Sequence, residues 1–402
     1  MKSFLGKFIE RFVEGLLFIS GTVTTLAVVL IVLFLFREGW GLFNETPIEK
    51  GDVIAINKNN TVRKLTGEDV KNIFDGKITN WNEVGGKKDS IILFRLNDIG
   101  NYFTDEELGD TLQFIPQRLN ELVNKTSGII AYFPEKYVDK KFDGRLLPFD
   151  KLTLKKILTG KEWFPTAQPA AQIGVMPLIL GTLWVSLFAI AIALPFGLAT
   201  AIYIAEIADD RVGKILKPVI ELLAGIPSVV YGFFGLIVIV PLVQKIFNLP
   251  VGETALSGSI VLAIMALPTI ITISEDAIRN TPRAMKEASL ALGATHWQTI
   301  SKIIIPYSIS GISAATILGI GRAIGETMAV LMVTGNAAVI PHTILEPVRT
   351  IPATIAAELG EAAHGSLHYK ALFALGCILF VITLLINVTV DMISARKKYN
   401  RK

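Results

Sequence analysis

Several things the 402-residue chain lacks narrow what it can be. It has one cysteine, Cys377, which excludes an internal disulfide and any cysteine-based metal cluster. Its four histidines, His296, His342, His364 and His368, show no metal-ligand spacing. His364 and His368, four apart, fit an interfacial helix better than a metal site. No Walker A pattern occurs, so the chain does not hydrolyse ATP by the P-loop route. Neither H-E-x-x-H nor G-x-S-x-G is present. The expectation is a protein with no catalytic residues, no metal and no cofactor. The net charge of +4 is too small to suggest nucleic acid. Only 18% of residues are charged, against roughly 25% in an average soluble protein.

What is present is apolar: 51% of residues are hydrophobic and the mean hydropathy is +0.52. The few charges are unevenly spread. Residues 41–165 carry 19 Lys/Arg and 19 Asp/Glu, about 30% of that stretch, while the remainder is about 13% charged. This is a membrane protein with a water-soluble insert, not a single globular enzyme. A span needs about 20 apolar residues. Six candidates lie near 15–36, 176–205, 215–243, 257–273, 308–335 and 371–393. The first resembles a signal peptide, but its apolar run is too long and Arg37-Glu38 follows where a cleavage site would be, so it reads as an uncleaved anchor. Basic residues favour the cytoplasmic side. Lys2, Lys7 and Arg11 place the N-terminus inside and the insert outside. Arg211, Lys214, Lys217, Arg279, Arg283, Lys286, Lys302 and the cluster Arg396, Lys397, Lys398, Arg401, Lys402 then all fall inside. Lys245 and Arg349 are the main exceptions.

The loop after the fourth span predicts two short helices. Thr281 can cap the first, Pro282 fits its first turn and good helix formers run to Leu292. Gly293 suits the left-handed position that ends a helix. Thr295 can cap a second, with Pro306 beyond it. A rigid protrusion of this kind suits a groove on a partner, although an ordinary amphipathic connector would look similar. Its residues Glu287-Ala288-Ser289, then Gly293, then Ile303-Ile304-Ile305-Pro306 resemble the EAA motif of ABC importer permeases. Ser289 and Ile305 are conservative departures from the usual pattern. The resemblance implies that this loop docks on an ATPase subunit, with Glu287, Ala288, Ser289, Gly293, Ile303 and Pro306 as its coupling residues.

The fifth span is apolar apart from Arg322, Glu326 and Thr327. Charges at bilayer depth usually face a protein interior or a watery path. Arg322 and Glu326, four apart, would share one helix face and pair. A planar guanidinium suits an oxyanion, and Glu326 could hold Arg322 until the anion arrives. A structural ion pair fixing helix register is the alternative. The stretch from Gly321 to Ala329 resembles PstC-type permeases of phosphate ABC importers. So do the stretches from Gly225 to Gly232, Leu178 to Leu183 and Leu158 to Pro165. The resemblance, over the first anchor and about 155–402, implies phosphate passage past Arg322 and Glu326. It also implies a homologous PstA-like permease, PstB-like ATPase subunits and an extracytoplasmic PstS-like binding protein as partners. In the third span, Pro227 would bend the helix, and the small residues around it serve packing more readily than substrate contact.

The insert alternates strands, near 53–56, 91–96, 128–133 and 146–149, with helical stretches. Thr66 with Asp69, and Thr104 with Glu107, fit capping boxes, the second opening a helix through Asn124. The stretch Leu65 to Gly86, and Ser127 to Tyr132, resemble PstS-type phosphate-binding proteins over about 85 residues. Where that family has a phosphate loop, this chain has Arg95-Leu96-Asn97-Asp98. Asp98 would repel an anion, and Asp105, Glu106, Glu107 and Asp110 follow. The reading is a degenerate lobe that docks the separate binding protein; direct phosphate binding and a decoration without transport role are the alternatives.

The expected architecture is an α-helical polytopic membrane protein of six transmembrane helices, the ABC type I importer permease fold, with a small extracytoplasmic α/β insert. Its parts are 1–40 with the first anchor, the insert 41–165, and a permease core 166–402 with its coupling loop at 280–306. The expected role is the permease subunit of an ATP-driven phosphate importer in the cell membrane, with inorganic phosphate as cargo. Another oxyanion, molybdate or sulfate, is the nearest rival, and a membrane-anchored sensor or scaffold for a phosphate-binding protein the next.

Overall fold

The computed structural model describes residues 2–109 and 111–399; Asp110, Arg401 and Lys402 lie outside the described residues. The chain divides into two compact units. One comprises 1–39, 175–362 and 372–402, the other 40–174 and 363–371. The soluble unit therefore reaches Gly174 rather than Pro165 and takes in a short segment much later in the chain.

Helix α1 (Lys2–Trp40) opens the chain. The soluble unit then follows as β1 (Asp52–Ile56), α2 (Gly67–Phe74), β2 (Ile92–Arg95), α3 (Asp105–Leu108), α4 (Ile115–Lys125) and β3 (Ile129–Pro134). After these come β4 (Arg145–Leu146), α5 (Leu154–Thr159), β5 (Trp163–Phe164) and β6 (Gln172–Ile173). The main sheet has the order β2-β3-β1-β4, with β2 and β3 parallel and the other pairs antiparallel. Alternate strand residues point to opposite faces. Ile54, Ile56, Ile130 and Tyr132 therefore pack with Val70, Ile73 and Phe74 of α2 and with Trp81. Ala55, Ile129, Ala131 and Phe133 pack on Leu119, Leu122 and Val123 of α4. The result is an α/β layer arrangement with both sheet faces covered.

Both capping boxes form, Thr66 with Asp69 and Thr104 with Glu107. The helix expected to run from Thr104 through Asn124 does not. It stops at Leu108, where Gly109 takes φ +80°, and restarts at Ile115 ahead of Pro116. The last strand of the sheet is shorter and earlier than 146–149. His364 lies in a turn ahead of the helix that begins at Leu367, its ring 4.8 Å from that of Tyr369, so it shares no helix with His368.

The membrane unit resumes with α6 (Met176–Ile202), α7 (Asp210–Ala224), α8 (Ser228–Phe234), α9 (Val240–Phe247) and α10 (Ala255–Arg279). It continues with α11 (Arg283–Ala291), α12 (His296–Thr299), α13 (Ile305–Gly325), α14 (Met328–Val333), α15 (Ile351–Glu358) and α16 (Leu367–Tyr399). Among the described residues, six helical segments are long and apolar enough to cross a membrane: Glu10–Asn44, Met176–Ile207, Ser228–Phe247, Ala255–Arg279, His296–Gly325 and Leu367–Val390. Helix α10 is the central one. Its Val261, Leu262, Met265 and Ile270 are buried among Val185 and Ala189 of α6, Ala323 of α13 and Val330 of α14. The first and last spans meet through edge-to-face rings, Phe34 with Phe373 and Phe36 with Phe380, at 5.6 and 5.9 Å.

Two spans differ from the sequence reading. The apolar stretch 215–243 is not one helix. It breaks at Gly225-Ile226-Pro227, so that α7 is a separate amphipathic helix and the span begins at Ser228. Pro227 ends the helix rather than bending it, because the residue before a proline is pushed out of helical conformation. The fifth span starts earlier, at His296, and ends at Gly325 rather than Gly335. Glu326 is extended, with φ −72° and ψ 136°.

Candidate functional site

The helix–glycine–helix loop forms as its residues dictate. Gly293 has φ +84°, which a side chain would strain, and turns the chain sharply between α11 and α12. Thr295 caps α12 in a box with Gln298. Thr281 departs from expectation: Pro282 holds the N-cap position of α11, and the buried Thr281 hydroxyl pairs with Ser308 Oγ at 3.2 Å. Ser308 in turn donates to the Ala277 carbonyl at 2.9 Å. Ser289 Oγ meets Thr299 Oγ1 at 2.9 Å, tying the two short helices together. Glu287 and Ala288 are exposed, Ile303 and Pro306 partly buried. Met285, Leu290, Trp297 and Leu292 are also exposed, Leu292 to 89%. A capped, internally bonded protrusion that shows large apolar side chains is built to be covered by something else.

Three basic residues near this loop, Lys217, Arg279 and Lys286, are not loose surface charges. Glu275 of α10 is only 2% exposed and pairs with Arg279 and, at 3.0 Å, with Lys217 of α7. Lys217 also reaches Asp276 at 3.2 Å. The hydrogen bond from Lys217 to Glu275 raises the ammonium's pKa above its ordinary value, with burial pulling the other way. Lys286 of α11 pairs with Glu206 at the end of the second span. Sequence reasoning missed Glu206 and Glu275, since partners such as Lys286 and Glu206 stand 80 residues apart.

Arg322 lies on α13, partly buried. The pair expected with Glu326 is absent: among the described residues no carboxylate lies within ion-pair distance of Arg322. The reason is the end of the helix at Gly325, which removes the i, i+4 relation. Glu326 instead turns its carboxylate onto the first turn of α14, accepting from the Ala329 amide at 3.4 Å. Thr327 lines an open pocket with Pro352, Ile355, Ala356, Leu359, Gly360 and Leu379. Tyr231 of α8 sits within electrostatic reach of Arg322, and its hydroxyl donates to the Leu223 carbonyl across the α7–α8 break at 2.8 Å. Close packing holds these elements together: a Cβ on Gly232 would stand 2.9 Å from Ala329 Cα. Of the small residues around Pro227, Gly232 thus serves packing, while Gly225 is exposed.

In the soluble unit Arg95 stacks over the Phe74 ring at 5.2 Å. Its backbone amide donates to the Asp98 carboxylate at 3.1 Å. An internal carboxylate therefore already occupies the donor.

Six apolar helices and, among the described residues, an Arg322 with no ion pair in the fifth of them mark a multi-pass membrane protein. The family model for binding-protein-dependent transport system inner membrane components matches residues 193–399, half of the chain, and the chain belongs to that family. A PBP superfamily domain model matches residues 44–141. The chain is 41% identical over 243 residues to the probable ABC transporter permease protein YqgH of Bacillus subtilis, covering 60% of this chain and 78% of that one. It is 39% identical over 248 residues to the phosphate transport system permease protein PstC of Mesorhizobium japonicum, covering 57% and 75%. Among solved structures, a bacterial alginate ABC transporter aligns at 19% identity and TM-score 0.43, over 55% of this chain and 79% of that one. A phosphate transport receptor from Vibrio cholerae aligns at 25% identity and TM-score 0.20, over 27% and 50%.

Proposed function

We propose that this chain is the permease subunit of an ATP-driven phosphate importer. It forms the pathway together with a homologous PstA-like permease. PstB-like ATPase subunits hydrolyse ATP, and a PstS-like binding protein delivers phosphate. The likeness to the phosphate transport system permease protein PstC of Mesorhizobium japonicum supports the choice of cargo. The observation that carries the chemistry is Arg322, a cation inside the bundle without a carboxylate partner among the described residues. A guanidinium offers an oxyanion a planar, bidentate set of donors. Glu326, engaged at the start of α14, does not compete for it, and Thr327 adds a hydroxyl beside the same break.

In this reading both termini and the loop 280–306 face the cytoplasm, and the residues from Glu287 to Pro306 receive the ATPase. The soluble unit, residues 40–174 with 363–371, faces outward and docks the binding protein. Asp98 already accepts from the Arg95 amide, which supports docking over direct anion capture. Alternating access exposes Arg322 first to one side and then to the other. The test is uptake of labelled phosphate by the assembled complex, with excess molybdate or sulfate as competitor. Phosphate uptake insensitive to both is expected. Uptake abolished by either competitor assigns the pathway to that oxyanion.

A further inference from the structure

The turn that ends the second span is wide. The Ala208 amide donates to the Tyr203 carbonyl, five residues back, at 2.7 Å. Such a turn leaves a neighbouring carbonyl without its usual helical partner. The Ile204 carbonyl accepts instead from Arg279 Nη2 of α10, at 3.1 Å. Two residues further on, Glu206 is 7% exposed and pairs with Lys286 of α11. Lys286 is itself turned inward, while its neighbours Met285 and Glu287 are exposed. Among the described residues this is the only ion pair made by α11.

Two side chains that bracket the α10–α11 connection therefore grip one turn of the second span. Each is a different kind of contact. Arg279 takes a backbone carbonyl and is itself braced by the buried Glu275. Lys286 takes a carboxylate, and no hydrogen bond to another acceptor is recorded for it among the described residues. Glu206 is nearly buried, so opening the pair would leave its carboxylate uncompensated, which favours the closed contact. The protruding loop and the second span are thereby joined by a short, stiff strut.

We propose that Glu206 is a positioning residue of the coupling step: through Lys286 it delivers a displacement of α11 to the second span. This rests on the transport reading above. Glu206 touches neither ATP nor the transported ion, so its effect lies in how much transport each ATP yields.

The experiment uses the whole complex reconstituted in vesicles and measures labelled phosphate taken up per ATP hydrolysed. Glu206→Gln is expected to lower this ratio about fivefold or more, the low end of coupling between distant sites, with ATP hydrolysis retained. Exchanging the charges, Glu206→Lys with Lys286→Glu, is expected to regain most of the ratio. An unchanged ratio in Glu206→Gln overturns the proposal, and so does a loss that the exchange leaves unrepaired. A milder pair guards against misassembly: Lys286→Arg keeps the ratio and Lys286→Gln loses it, and equal ratios in the two overturn the proposal. A wild-type complex that carries another anion overturns the phosphate reading alone, and the ratio is then taken with that anion.

Discussion

A guanidinium inside an apolar helix carries its charge at a cost, and nothing in its own helix offsets that cost for Arg322. An arriving oxyanion would. Charge-assisted hydrogen bonds contribute about 1.5–3 kcal/mol, equivalent to roughly ten- to a hundredfold in rate or affinity. Arg322→Gln is therefore expected to cut labelled phosphate uptake by about that range, with ATPase assembly intact. Arg322→Lys keeps the charge but loses the planar fork, and should fall between the two. Uptake in Arg322→Gln equal to wild type would remove Arg322 from the pathway. The charge at position 322 was legible in the sequence as an interruption of an apolar run. Its unpaired state was not, because pairing with Glu326 presumed a continuous helix and the chain leaves the helix at Gly325. A second residue offers a pH-dependent check away from the spans. The His342 amide donates to Glu346 at 2.8 Å, and this bond holds the Glu346 carboxyl below its ordinary value. A lowered folded value means the stabilisation is complete above the ordinary carboxylate range and is lost as pH falls through the lowered value. Protection of the His342 amide from hydrogen exchange, wild type relative to Glu346→Gln, should be high at neutral pH and vanish in acid. A ratio constant across that range would contradict it.

At the scale of elements, the third span and α14, the short helix after the fifth span, meet by close backbone approach. Gly232 of α8 approaches Ala329 of α14 so closely that a Cβ would meet backbone at 2.9 Å. Gly321 of α13 has nothing within 4 Å of a Cβ. Overpacking costs roughly 1–3 kcal/mol, so Gly232→Ala should lower the thermal midpoint of the purified protein while Gly321→Ala leaves it unchanged or raised. The reverse order would show that the contact at Gly232 is not tight. Much at this scale could be read in advance. The capping boxes at Thr66 and Thr104, the left-handed Gly293 and the cap at Thr295 each depend on a few adjacent residues, and local chemistry decides them. The misreadings share one cause. Hydropathy alone joined α7 to the third span, and the helix opened by the Thr104 box was carried through Asn124, joining α3 to α4. In each case a glycine or Gly-x-Pro punctuator outweighed the apolar periodicity. The pairs of Glu206 with Lys286 and of Glu275 with Lys217 were out of reach for another reason: they join elements distant in sequence, and only the folded bundle brings them together.

The whole molecule carries two family signatures that do not overlap, residues 44–141 and 193–399. That separation matches the division of charge along the sequence and poses a question of what the polar unit adds. The structure supplies a clean way to remove it. The Leu152 amide donates to the Glu45 carbonyl at 2.9 Å, so residues 45 and 152 are already adjacent. Residues 46–151 can be replaced by a short glycine-rich linker without stretching the chain, since loop closure over a few residues costs little. The four-stranded sheet leaves with both of its hydrophobic layers except Ala170, the one retained residue of those layers. Retained Lys370 keeps its partner Glu45. If the unit docks a binding protein, the excised complex should bind that protein more weakly, while uptake at saturating binding protein stays near wild type. The measurement is the dissociation constant of the binding protein on vesicles bearing the intact or excised complex, alongside uptake at excess binding protein. Equal affinities would reduce the unit to a decoration. Loss of uptake even at saturation would instead make it part of the pathway itself, which the carboxylate of Asp98 at the Arg95 amide argues against.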